Sequence, residues 1–393
     1  MEKRNGRFVV DSRNQHLLQK LVCYYDRDAA TRASTGGFTP ANIDPNLCTH
    51  IIFAFANVNN QNNLVPVSSN DTTLYAQLNN LKNSNPQLKT LLAVADQALT
   101  TRSEFNLKMF SSMVAAKNTR TKFINSAILL LKDNGFDGLN LDWQYPGDEK
   151  SQPKDKIRFT SLCQELRIAF DAESPALILS ASVSAEKTMI DNSYYNPAII
   201  AASMDFMNVL SFHFHDTTEA VTAHHSPLGP STSNAADTLT TQYAMNYWLN
   251  LGVPATKLNV GFAAFGVAYT LADPNVSGVG AATSGPAEEG CYGERLGSGP
   301  ITRYRKRGIS TCLYIQGGDQ HWIKEQSVSY AVTEGQWVGF DNNDSIDAKV
   351  AHIADNFGGA CVWALDLDDY TGQFCKAGIN PFISYLKSKL LGV

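Results

Sequence analysis

The sequence predicts an α/β fold: a (β/α)8 TIM barrel carrying a small α+β insertion domain between its seventh and last strands. Three observations predict it. Eight short apolar runs recur along the 393 residues, with amphipathic helical patterns between them. The runs are apolar at nearly every residue, as strands buried on both faces of a parallel sheet are. One connection, between the seventh and eighth runs, is far too long to be a single crossover helix.

In chain order the runs are Leu21–Tyr25, His50–Asn57, Lys89–Ala95, Gly138–Asp142, Leu177–Ser184, Phe206–Phe212, Leu258–Ala264 and Gly359–Leu365. Helical periodicity predicts helices over Thr121–Asp133, Asp155–Asp171 and Thr238–Leu251. The long connection has its own glycine-rich turns and the β-like runs VSYAV and QWVGF. It is expected to form the insertion over 266–337, at the rim where barrel enzymes bind ligands. Residues 20–265 and 338–393 then form the barrel. Residues 1–19, polar and without the apolar core of a signal peptide, are expected to be a leader or a disordered segment.

Composition narrows the function classes. Hydrophobic residues make up 44% and charged residues 18%, which excludes a disordered chain and a coiled coil. The net charge of −5 argues against general nucleic-acid binding, which needs a basic footprint. No run is long and apolar enough to span a membrane. No cysteine pair has zinc-like spacing, and neither a cofactor nor a metal is implied. His213 and His215, spaced i, i+2 beside Asp216, lack an evident third ligand and are read as rim histidines, as is the loop pair His224–His225. The run RYRKR brings Arg303, Arg305, Lys306 and Arg307 together, either as a solvated loop or as a contact for an acidic glycosaminoglycan. Sequons occur at Asn70, Asn275 and Asn343 and are glycosylation candidates if the chain is secreted.

The informative segment is FDGLNLDWQYPGD, residues 136–148. Alternate residues of a strand share a face, so Gly138, Asn140, Asp142 and Gln144 point into the barrel and up to its mouth. Such a polar row is either a satisfied strand end or a site.

At these residues the chain resembles glycoside hydrolase family 18, the chitinases and chitinase-like lectins. The family pattern DxxDxDxE followed by Tyr-Pro stands here as Asp137, Asn140, Asp142 and Gln144, then Tyr145 and Pro146. CTHIIFAFA (48–56), WVGFDN (337–342) and GGACVWALDLDD (358–369) extend the match over nearly the whole chain. The NLDWQYPG form is most similar to the family's non-catalytic vertebrate lectins, the rodent Ym-type proteins among them.

The resemblance implies substrate-assisted cleavage of β-1,4-linked N-acetylglucosamine, outside the usual two-carboxylate scheme. The motif's final Glu protonates the leaving oxygen while its last Asp and a tyrosine of the sixth strand orient the substrate's acetamide. Here Gln144 replaces that acid, and an amide has no acidic proton to give; losing such a group costs roughly 10²–10⁴-fold. Asn140 replaces the middle Asp. On the sixth strand the family's M-x-Y-D reads Leu210, Ser211, Phe212, His213. The catalytic positions Asp137, Asn140, Asp142, Gln144, Phe212 and His213 are therefore degenerate, and the chain is expected not to be an enzyme.

The same resemblance assigns carbohydrate contact to Trp363, Tyr24, Phe55, Tyr145, Gln97, Leu210, Phe212 and His213, with Trp363 as the floor under the sugar. The cleft is eroded: Asp28 stands where a Trp follows the first strand, Ala95-Asp96-Gln97 where GGW ends the third, and Val267 where the insertion begins with an Arg. By family register Cys23 pairs with Cys48 and Cys312 with Cys375, leaving Cys163, Cys291 and Cys361. Two bridges imply an oxidising compartment and hence secretion. The expectation is a secreted, inactive chitinase-like protein, a monomer that acts as a lectin for chitin, chitooligosaccharide or a related glycan, or as a signalling protein. The alternatives are a protein-binding scaffold that has lost sugar binding and a weakly active chitinase.

Overall fold

In this computed structural model, described residues are 2–4, 7–9, 19–32, 36–95, 104–148, 151–232, 234–287, 318–354 and 357–393. Seven strands open the barrel: β1 (Lys20–Asp26), β2 (His50–Val58), β3 (Lys89–Ala95), β4 (Gly138–Asp142), β5 (Ile178–Ser184), β6 (Phe206–Leu210) and β7 (Leu258–Ala263). The insertion supplies β8 (Val267–Leu271), β9 (Thr283–Pro286), β10 (Asp319–Ile323), β11 (Val328–Thr333) and β12 (Gln336–Phe340), and β13 (Gly359–Trp363) completes the barrel. Neighbours from β1 through β7 pair in parallel, β7 pairs with β13, and β13 returns to β1, closing eight strands. The sixth and eighth barrel strands end at Leu210 and Trp363, two residues before the expected ends. Past those points the chain bends away to build the mouth.

Helices α1 (Asp71–Asn80), α2 (Glu104–Val114), α3 (Lys117–Asn134), α4 (Asp155–Asp171), α5 (Lys187–Ser193), α6 (Pro197–Ser203), α7 (Thr241–Asn250), α8 (Asn343–Ala354) and α9 (Pro381–Leu391) form the outer layer. Closure demands close approach. A side chain at Gly359, whose φ is +150°, would strike the Lys20 carbonyl oxygen at 2.1 Å, so only glycine lets β13 meet β1. The acidic run after β13 is a set of clamps. Asp368 accepts the amides of Phe382 and Ile383 in the first turn of α9, and Asp369 those of Phe374 and Cys375.

The insertion is a five-stranded antiparallel sheet in the order β9-β8-β12-β11-β10. Tyr269, Trp337 and Tyr330 pack along it, with Trp337 and Tyr330 stacked at 5.0 Å. Beyond β12, Asp341 meets Lys349 of α8 at 2.7 Å, both fully buried, and Ser226 accepts from the same ammonium. This pair holds the chain leaving β12 against α8. His224 and His225, expected on a surface loop, are buried beside it. His224 Nδ1 accepts from the Ser226 amide, which leaves Nε2–H to donate to the Phe340 carbonyl, and burial pushes its pKa down to about 4.

Within the segment expected to be a leader or disordered, Glu2–Arg4 pairs antiparallel with Arg7–Val9. Cys23 and Cys48 form a disulfide, Cys375 is disulfide-bonded, and Cys163 and Cys361 are buried free thiols. Cys291, Cys312 and the basic run at Arg303, Arg305, Lys306 and Arg307 lie outside the described residues. No helix among the described residues is long and apolar enough to cross a membrane.

Candidate functional site: the mouth of the barrel

The mouth is built from strand parity. In β4, Trp143 follows Asp142 and turns outward, where it packs on Phe110 and Phe159 at 5.1 and 6.0 Å. Anchoring Trp143 outside the barrel directs Asp142 and Gln144 inward. Gln144 Nε2 donates to Asp142 Oδ1 at 2.9 Å. Burial pushes the Asp142 carboxyl up to about 6, although hydrogen bonds from Ser182 and Gln144 pull the other way.

Beneath it runs a chain of neutral polar groups. Asn259 Nδ2 donates to Asn208 Oδ1, Asn208 Nδ2 to the Tyr24 hydroxyl, Ser182 Oγ to Asn140 Oδ1, and Asn140 Nδ2 to Ser180 Oγ, at 2.8–3.0 Å. Tyr24 and Ser182 meet at 2.7 Å. The single Ser182 hydrogen serves its acceptors Asn140 and Asp142, so Tyr24 must be the donor in that contact. The result is a one-way hydrogen-bond chain across the lumen. Burial holds the Tyr24 phenol well above its ordinary value, so it stays protonated. Sequence reading missed Ser180, Ser182, Asn208 and Asn259. Their signal was the alternation of polar residues within apolar strands, as in ILSASVS.

Trp363 ends β13, partly exposed. It lies 5.4 Å from Tyr24 and 5.8 Å from Phe55, nearly parallel to the latter at 19°. Three adjacent strands thus supply one aromatic floor. Cis peptide bonds sit at Ala54–Phe55, Gln144–Tyr145 and Trp363–Ala364, all at this end of the barrel. Leu210, level with Ser184 of β5, is the last residue of β6. Beyond it Phe212 and His213 both approach Phe265, at 6.0 and 5.8 Å, and His213 takes a left-handed φ of +68°.

Not every expected residue comes to this place. Asp137 lies at the opposite end of β4, where it accepts from the Thr90 amide and pairs with Lys82 at 2.6 Å. Its offset from Asn140 is odd, so it cannot share that strand face. Gln97 is outside the described residues. His215 is held by Glu219, both carboxylate oxygens 3.0 Å from Nδ1. Among the described residues no group of three or more His, Cys, Asp or Glu could hold a metal ion.

One wall of the mouth is charged. Arg27 pairs with Asp28 at 2.7 Å and with buried Asp71 at 2.9 Å, while Arg32 bridges Asp366 at 2.7 Å and Asp26 at 3.4 Å. Burial, with Asp366 as neighbour, pushes Asp26 up to about 7. The three sequons lie on exposed turns or helix starts, but Ser345 of the third is buried with its hydroxyl bonded to Asn342.

This geometry can hold an apolar ring face and present acceptors to it. Gln144 offers no acidic proton, and Asp142, 2% exposed, lies behind it.

Comparison with known proteins agrees with the fold and the motif. The model for Glycosyl hydrolases family 18 matches residues 20–368. Mouse chitotriosidase-1 is 40% identical over 379 residues, 94% of this chain and 78% of the relative. Human chitinase-3-like protein 2 is 37% identical, covering 94% and 92%. Mouse oviduct-specific glycoprotein is 37% identical over 95% of this chain, which spans only half of that longer relative. Human YKL-39, described as a pseudo-chitinase with retained chitooligosaccharide binding properties, superposes with a TM-score of 0.83 at 36% identity, covering 95% of this chain and 99% of its own. The closed barrel, the inserted sheet and these matches together establish that the chain belongs to glycosyl hydrolase family 18.

Proposed function

We propose that this chain is a catalytically inactive chitinase-like protein that binds chitooligosaccharide in the barrel mouth and works outside the cell. One observation carries the reading: an amide, Gln144, caps the mouth carboxylate Asp142 where the family's acid stands, over an aromatic floor left partly exposed. The floor needs no acid to stack a sugar's apolar face. Trp363, Phe55 and Tyr145 are its contacts, Tyr24 supports Trp363 from below, and Leu210, Phe212 and His213 form the far side. Four departures, Asn140, Gln144, Phe212 and His213, remove proton donation and acetamide positioning together. The relative described as a pseudo-chitinase that retains oligosaccharide binding supports this combination. The Cys23–Cys48 bridge supports an oxidising compartment.

A second reading, a scaffold for protein partners without sugar binding, is favoured by the Arg27–Asp28 ion pair, which occupies the place of an aromatic wall. Incubation with a fluorogenic chitooligosaccharide, together with calorimetric titration, separates the readings. Saturable binding without released fluorophore supports the proposal. Release of fluorophore overturns the claim of inactivity, and absence of binding moves the function to protein partners.

A further inference from the structure

We propose that Asp26, Arg32 and Asp366 form a proton-operated latch beside the aromatic floor: one proton held between the two carboxylates lets Arg32 keep the turn Arg27–Thr31 closed, and loss of that proton loosens the turn. The inference concerns how the mouth responds to acid and does not depend on the ligand it takes.

The geometry comes first. Asp26 ends β1 and caps the short 3-10 turn Arg27–Thr31, its Oδ1 accepting the Asp28 amide at 2.9 Å. Arg32 closes the other end of that turn, its amide donating to the Ala29 carbonyl. Its side chain folds back, and one guanidinium nitrogen, Nη2, reaches Asp26 Oδ2 at 3.4 Å and Asp366 Oδ2 at 2.7 Å. A single cation therefore serves two carboxylates. Asp366 is sealed, with 1% of its side chain exposed, whereas Asp26 keeps 24% at the surface and so has a path to solvent protons. The turn also holds Phe38, whose amide donates to the same Ala29 carbonyl at 3.0 Å. The cluster adjoins the floor. Asp26 is level with Ala54, the neighbour of Phe55, and Asp366 closely follows Trp363.

Counting charges shows why a proton belongs here. The groups around the pair are Tyr25 of β1, Arg27 and Asp28 of the turn, Asp71 of α1, and Tyr370 beyond β13 with Asp369 beside it. Arg27 is taken by Asp28 and Asp71, at 2.7 and 2.9 Å, so it does not neutralise the pair. Burial holds Tyr25 and Tyr370 above their ordinary values, and both keep their protons. With both carboxylates ionised, the triad of Asp26, Arg32 and Asp366 carries a net negative charge in a poorly solvated place. With one proton bound it is neutral. Burial, with Asp366 as neighbour, pushes Asp26 up to about 7 from its ordinary 3.8. The closed turn thus holds the proton up to about pH 7, whereas the opened turn returns Asp26 to water and releases it near 3.8. Opening becomes easier as pH rises from about 4 to 7 and changes no further above that.

The test is hydrogen exchange of the full chain, read at the amides of Asp28, Arg32 and Phe38 as protection factors, which remove the intrinsic pH dependence of exchange. No sugar is added, so the outcome is independent of the binding reading. Protection at these amides is expected to fall at least about tenfold between pH 5 and pH 8, out of the roughly hundredfold that a full return of Asp26 to 3.8 would give. Asp26→Asn keeps an acceptor at the cap and leaves Arg32 and Asp366 as a neutral pair. In that variant the change is expected to stay within about twofold. Protection in the unaltered chain that is flat or rises with pH overturns the inference. A fall of about tenfold or more in Asp26→Asn also overturns it, because the proton would then sit elsewhere.

Discussion

Asp142→Asn should stabilise the protein, and only above the pH at which the carboxylate ionises. Burial raises the carboxyl from its ordinary 3.8 to about 6. Ionising it in the folded state therefore costs about 3 kcal/mol relative to the unfolded chain. The sign follows from proton uptake. Between about pH 4 and 6 the folded state holds this proton and the unfolded state does not, so stability falls as pH rises through that window and is flat above it. Asparagine keeps the shape and can still accept from Gln144 through Oδ1, while carrying no charge to bury. At pH 7.5 the variant should gain up to about 3 kcal/mol, which for a chain of this length is roughly 3–4 °C in Tm. Near pH 5 the gain should be about half, and below pH 4 it should vanish. Thermal unfolding of both proteins across this range is the assay. Asp26 and Asp368 also titrate abnormally, but they are common to both proteins and cancel in the difference. A gain that does not depend on pH, or a loss at pH 7.5, would refute the reasoning.

Other outcomes follow from the same geometry. Gln144→Glu alone should not produce chitinase turnover in a fluorogenic assay, because Asn140, Phe212 and His213 still lack the groups that position an acetamide. Robust turnover from that single change would show that β6 matters less than argued. Lys349→Met leaves Asp341 buried without its cation and should cost about 3–5 kcal/mol in denaturant unfolding; a loss under 1 kcal/mol would mean that water reaches the pair. Replacing Cys23 and Cys48 together by Ser opens a loop of 25 residues and should cost about 3 kcal/mol in the same experiment.

The barrel was legible because its strands are buried on both faces, which writes them as continuous apolar runs. Strand ends were less so. Phe212 and Leu365 continue the apolar pattern past the last ladder pairs, since the mouth is itself lined by apolar residues. The polar face of β4 was legible from period two, and the same rule separates Asp137 from Asn140, Asp142 and Gln144. The charged wall could not be seen: Arg32 meets Asp366 across more than three hundred residues of chain, and no local pattern encodes that contact. His224–His225 was misread for a related reason. A histidine pair in a connection looks solvated until Phe340 and the buried Asp341–Lys349 pair are folded over it.

The central claim is a working sugar cleft over a dead catalytic centre. The most direct test is calorimetric titration with a chitooligosaccharide hexamer, in the unaltered protein and in Trp363→Ala, with the sugar recovered and sized by mass spectrometry. The account predicts saturable binding that Trp363→Ala abolishes, and a hexamer returned intact. Shortened oligomers, or binding that persists without Trp363, would contradict it.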